Sequence, residues 1–242
     1  RNPHLYRVGG MDSKKSKSKK KGKSQHNNPK PKTGGAPGGG GKGLEKEKKS
    51  SGKKTKKQRP RVVIVPGNGC YPVDDSNWYS SVEKRLKEKG FEVALQNMPD
   101  PNRARESIWL PFIEEKLKAD ANTILVGHSS GAEAGMRYAE TRQLKGLVLV
   151  SACYTDLGVE NERQAGYYNR PWQWQKIKEN CGFIVQFASN NDPFIPEKEM
   201  LHVAENLDSE YHCLKGRGHF LGWQMPEVAD IIVEKAASDK DE

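Results

Sequence analysis

Residues 123–135 read TILVGHSSGAEAG. An apolar run closes on a serine boxed by glycines, and small residues at helical spacing follow. The pentapeptide Gly127-His128-Ser129-Ser130-Gly131 fits G-x-S-x-G, a pattern that sets a serine on a tight turn between a strand and a helix. Five residues are a weak signal alone. Whether Ser129 is a nucleophile or only a turn residue depends on its surroundings.

Outward from that stretch, apolar runs alternate with helical patterns. Towards the N-terminus lie RVVIVPGNG (61–69) and FEVALQNMP (91–99), each strand-like, with WYSSVEKRLKEKG (78–90) between them at helical spacing. RESIWLPFIEEKLKA (105–119) puts Ile108, Phe112, Ile113 and Leu117 on one helical face, with Pro111 in the first turn or at a kink. Towards the C-terminus come the helix SGAEAGMRYAETR, the strand KGLVLVSA and an irregular stretch at 155–180. The strand FIVQFASNND, the helix PEKEMLHVAENL, the strand YHCLKG and the helix PEVADIIVEKAA complete the chain. Continuous Val/Ile/Leu runs belong to parallel strands covered on both faces. The alternation therefore predicts an α/β fold: one domain over residues 61–242, with a doubly wound, mostly parallel sheet of about six strands.

Charge separates this body from what precedes it. The 242 residues carry a net charge of +10, yet residues 1–60 hold 20 Lys and Arg against 3 Asp and Glu, and the remainder holds 21 against 28. The Lys/Gly-rich segment 1–60 has almost no apolar side chains to bury and is expected to be a disordered basic tail. Such a tail suits nuclear targeting, a non-specific grip on acidic or nucleic-acid partners, or simple solubility. It lacks the interleaved aromatics that stack bases. Residues 1–10 precede Met11. With neither a signal-peptide core nor 18 consecutive apolar residues, the expected location is cytoplasmic, nuclear or both, with no membrane span. Cys70, Cys153, Cys181 and Cys213 are scattered without metal-ligand spacing, so reduced thiols are expected, and neither a metal nor a cofactor.

In open α/β sheets, ligands bind where the strands end. Ser129 lies past the third strand and opens a helix, whose N-terminus adds partial positive charge. A serine hydroxyl needs a base. His219 in KGRGHF follows the sixth strand, and Asp192 in ASNNDPFIP follows the fifth. All three fall on one edge of the sheet. Asp192 could alternatively cap the following helix. Asp100 and Asp156 are rival acids, while His128, His202 and His212 read as packed, helical and strand residues. An oxyanion needs backbone donors. Ser130 supplies one, and the PGNGCY loop the other, through Asn68 or Gly69. Tyr167, Tyr168, Trp172 and Trp174 either wall a pocket above Ser129 or pack their stretch onto the body. As a pocket wall they would favour a small acyl group or an aromatic amino-acid amide.

VIVPGNG, NMPDP, ARESIWLPF, GHSSGA, RPWQW and GHF together resemble the retinoblastoma-binding protein 9 family of small serine hydrolases, over nearly all of residues 61–236. The resemblance implies a compact α/β-hydrolase fold without a large lid domain. It also implies a catalytic triad of Ser129, Asp192 and His219, in the chain order of that superfamily. The LxCxE retinoblastoma-binding motif is not supported, because the matching stretch is Leu117-Lys118-Ala119-Asp120-Ala121. The expected function is cleavage of a small ester or amide through an acyl-enzyme. The alternative is a non-catalytic interaction protein that keeps the scaffold and binds acidic partners through its tail.

Overall fold

The computed structural model describes residues 59–238. The expected basic tail therefore lies outside the described residues, apart from Arg59 and Pro60. The described chain alternates strand and helix: β1 (Arg61–Val65), α1 (Tyr79–Glu88), β2 (Val93–Leu95), α2 (Glu106–Glu115), β3 (Thr123–His128), α3 (Ser130–Ala139), β4 (Gly146–Val150), α4 (Glu160–Ala165), α5 (Trp174–Asn180), β5 (Ile184–Ser189), α6 (Glu197–Leu207), β6 (Glu210–Leu214) and α7 (Pro226–Ser238). The six strands form one sheet in the order β2-β1-β3-β4-β5-β6. Every pairing in it is parallel. Among the described residues, no helix is long and apolar enough to cross a membrane.

The unbroken apolar runs follow from burial on both faces. Successive strand side chains point to opposite sides. Val63 and Val65 of β1, Leu125 of β3, and Leu147 and Leu149 of β4 pack beneath α2, α3 and α5. Val62 and Ile64, Ile124 and Val126, and Val148 and Val150 pack beneath α1 and α7. All of them are fully buried, at about 1.5–3 kcal/mol of transfer free energy per side chain.

One expectation is extended and others are corrected. Ile108, Phe112, Ile113 and Leu117 pack on one cluster, Ile113 and Leu117 fully buried, and Trp109, which their spacing does not single out, is fully buried beside them. Trp109 donates its indole N–H to the Pro99 carbonyl at 2.7 Å. Pro111 sits inside the helix rather than in its first turn. The stretch 155–180 is not irregular throughout, because it holds α4 and α5. These helices have 6 and 7 residues, too few turns to display apolar periodicity.

A buried arginine holds that stretch in place. Arg137 on α3 is almost without exposure. Its guanidinium donates to Glu140 at 2.5 Å and to the carbonyls of Tyr167, Arg170 and Pro171. It also lies 3.7 Å over the Trp172 ring. Trp172 stacks on Trp174 with ring centroids 5.6 Å apart, and Tyr167 is fully buried. Of the two roles open to these aromatic residues, packing the stretch onto the body is the one the contacts describe. Arg137→Ala should therefore cost about 3–5 kcal/mol, because it leaves Glu140 with only Arg170 and the Gln173 amide and unpairs several buried carbonyls. Urea denaturation measures it, and a loss under 1 kcal/mol would contradict the clamp.

Candidate active site

Ser129 sits at φ 53° and ψ −126°, left-handed backbone that non-glycine residues rarely adopt, at a cost of about 1–3 kcal/mol. Its surroundings enforce the turn. The Ser129 N–H donates to the Val150 carbonyl at 2.9 Å, and its own carbonyl accepts from Ala132 N–H at 2.6 Å, opening α3. A Cβ on Gly127 would strike the backbone of Gly131 and Ala132, and one on Gly131 would strike the carbonyls of Val65 and Pro66. The pattern's glycines thus mark where the helix touches the strands it leaves.

His219 and Asp192 meet. His219 Nδ1 lies 2.8 Å from Asp192 Oδ2, with the histidine 8% exposed and the carboxylate side chain 0%. Oδ2 also accepts the Ser151 hydroxyl at 2.8 Å. Oδ1 accepts the backbone N–H groups of Phe194 at 2.9 Å and Ile195 at 3.0 Å. Oδ1 thus closes the turn ahead of α6 rather than capping that helix, whose N-cap is Pro196, while Oδ2 faces His219. Burial alone would raise this carboxyl, but the hydrogen bond and charge of His219, with those two amides, hold it below the ordinary value.

The loop carrying His219 hangs from the residues just before the acid. Asn190 Oδ1 accepts Gly216 N–H at 3.1 Å, and Asn191 Oδ1 accepts Gly218 N–H at 2.8 Å. Ser189 Oγ accepts Arg217 N–H at 3.1 Å and donates to Asn191 at 2.8 Å. Sequence reasoning singled out Asp192 and overlooked these neighbours, as it did Ser151. The available signal was the unbroken polar run Ser189-Asn190-Asn191-Asp192 closing an apolar strand.

The rivals lie elsewhere. Asp100 pairs with Arg105 at 2.6 Å and Asp156 with Arg163 at 3.0 Å. His202 stacks on Tyr154, and His212 bonds Glu210. His128 is buried against His219, its Nε2 2.9 Å from the His219 carbonyl. That contact ties the residue preceding Ser129 to the histidine loop.

In the loop after β1, Gly67 N–H donates to Tyr79 Oη at 3.0 Å and Gly69 N–H to the Pro101 carbonyl at 2.7 Å. The Asn68 side chain donates to Glu162 Oε1 at 2.9 Å. Ser130 is the first residue of α3, so its N–H has no acceptor within the helix. Glu133, one turn further on, is buried and accepts Cys153 N–H at 2.8 Å. Burial pushes its carboxyl well above the ordinary range, and sequence reading missed it. The four cysteines are unbridged. Among the described residues, no group of three or more His, Cys, Asp or Glu could hold a metal ion.

Comparison with known proteins converges on one family. The family model described as "Serine hydrolase" matches residues 62–224. The chain is 53% identical over 173 residues to serine hydrolase RBBP9 of Rattus norvegicus, covering 71% of this chain and 93% of the rat protein. It is 29% identical over 185 residues to the putative hydrolase YdeN of Bacillus subtilis, covering 71% and 94%. The crystal structure of the B. subtilis ydeN gene product superposes with a TM-score of 0.67 at 26% identity, covering 74% of this chain and 99% of that one.

The hydrogen bonds on Asp192 predict a pH signature. A carboxyl held below its unfolded value stabilises the fold fully above that value, and this contribution is lost as pH falls through the folded value. Asp192→Asn should therefore be less stable than wild type at pH 7, and the gap should narrow as pH falls from about 5 towards 3. Urea denaturation across that range would sink the idea if the gap stayed constant. Ser151→Ala should cost about 1.5–3 kcal/mol at pH 7, the usual worth of a hydrogen bond to a charged group.

Proposed function

The chain belongs to the serine hydrolase family, with the compact α/β-hydrolase fold, and on that premise we propose that it cleaves small esters or amides through an acyl-enzyme on Ser129. The observation that carries this reading is the buried 2.8 Å hydrogen bond between His219 and Asp192, on the same sheet edge as a serine held at φ 53°. An ionised Asp192 accepts, so His219 Nδ1 bears the proton and Nε2 is left bare as the base. Nε2 takes the Ser129 proton as Oγ bonds to the substrate carbonyl carbon. It then returns that proton to the leaving oxygen or nitrogen as the scissile bond breaks. Water, deprotonated by the same nitrogen, attacks the acyl-enzyme and restores Ser129. Asp192 holds the ring and balances the imidazolium charge.

Two backbone donors stabilise the oxyanion: Ser130 N–H at the start of α3, and Asn68 N–H. Elimination favours Asn68 over Gly69, because the amides of Gly67 and Gly69 are already committed to Tyr79 and Pro101.

Covalent labelling with a fluorophosphonate tests the nucleophile. Wild type should be labelled at Ser129, Ser129→Ala should not be labelled, and His219→Ala should lose roughly 10⁶-fold in esterase kcat. A well-folded wild type that takes no label would move the protein to the non-catalytic reading, an interaction protein on a hydrolase scaffold.

A further inference from the structure

A buried chain of hydrogen bonds runs behind Ser129 and His219 and reaches the loop after β1, the residue before Ser129 and the backbone of His219 itself. Tyr79 Oη is 2.6 Å from His128 Nδ1, and His128 Nε2 is 2.9 Å from the His219 carbonyl. Gly67 N–H lies 3.0 Å from the same Tyr79 oxygen, and Asn77 Nδ2 lies 3.1 Å from it. Gly67 precedes Asn68, and His128 precedes Ser129. Tyr79 and His128 are buried, and the His128 and His219 rings sit 5.0 Å apart.

The donors and acceptors permit one direction only. A carbonyl accepts, so His128 Nε2 carries the proton. Burial, with His219 close by, pulls the His128 pKa down to about 3, so the ring is neutral and Nδ1 is a bare acceptor. Tyr79 must then donate to Nδ1, while its oxygen accepts from Gly67 and Asn77. Every polar atom on the path is satisfied, which is the condition under which a buried network is rigid rather than costly.

We propose that Tyr79 and His128 are positioning residues, a buried spine that holds the oxyanion loop, the nucleophile elbow and the His219 loop in mutual register. The spine rests on the reading of Ser129 as nucleophile. Gly67's engagement with Tyr79 fixes the Pro66–Gly67 peptide, one residue ahead of the Asn68 amide. The bond to the His219 carbonyl fixes the backbone from which the imidazole projects, as Asp192 fixes the ring itself. Neither residue touches substrate, so their removal acts on the geometry of the reacting groups.

The test compares fluorophosphonate labelling rate and ester kinetics in wild type, Tyr79→Phe, His128→Leu and His128→Gln. Tyr79→Phe and His128→Leu should lose about 10–100-fold in labelling rate and kcat, the scale of a small misplacement of reacting groups, with KM within about twofold. His128→Gln should recover part of the loss, because its amide supplies one donor and one acceptor. A folded Tyr79→Phe that labels at the wild-type rate overturns the spine while leaving the nucleophile intact. No labelling of wild type overturns the Ser129 reading, and the spine's role with it. ¹⁵N NMR of the wild-type histidines tests the spine without any variant. His128 should show a protonated Nε2 and a bare Nδ1, and the opposite tautomer overturns the spine even if the variants fail to fold.

Discussion

The structure depends on a crossing with no room for side chains. Helix α3 begins in van der Waals contact with the strands that deliver it, and the backbone turns from one to the other at a single residue. Gly127 and Gly131 permit the approach, and Ser129 takes the strained dihedral angles. Strain of this kind persists only where the surrounding packing over-determines it. Here α3 is buried along its whole length, from Ser130 to Ala139. The sheet passes the Ser129 N–H to Val150 on the neighbouring strand, so β4 helps define the angle at which the serine emerges.

Polar groups around that turn are paired with unusual completeness. Asp192 receives four hydrogen bonds on its two oxygens. The residues before it hold the loop that carries its partner. A carboxylate so deeply buried is tolerable only when its lone pairs are filled. The same logic governs Arg137, whose charge is matched by Glu140 and by carbonyls of the segment between α4 and α5. The partners differ in reach: 27 residues separate His219 from Asp192 and 30 separate Arg137 from the Tyr167 carbonyl, while Glu140 lies one helical turn from Arg137.

Local order of residues determined a good deal. Periodicity alone placed the six strands and most helices, because continuous aliphatic runs cannot be satisfied except on two covered faces. The glycines around Ser129, and the polar residues following strands five and six, pointed to one sheet edge because parallel strands all end on the same side. On α2 the four spaced apolar residues do share a face, but the burial of Trp109 beside them, with its indole N–H on the Pro99 carbonyl, was not legible from that spacing. The helices α4 and α5 escaped notice because each is shorter than the signal that reveals a helix.

What the sequence by itself determined was therefore the order of elements and the identity of the residues at the strand ends. Both follow from short-range periodicity and from the conformational limits of glycine and proline. Tertiary structure alone decided which of those residues meet. It paired His219 with Asp192 rather than with Asp100 or Asp156, brought Ser151 under the carboxylate, committed the amides of Gly67 and Gly69, and joined Tyr79 to His128. These are contacts between atoms distant along the chain, made specific by burial. A donor or acceptor removed from water must find its partner in space, and nothing in its sequence neighbourhood names that partner.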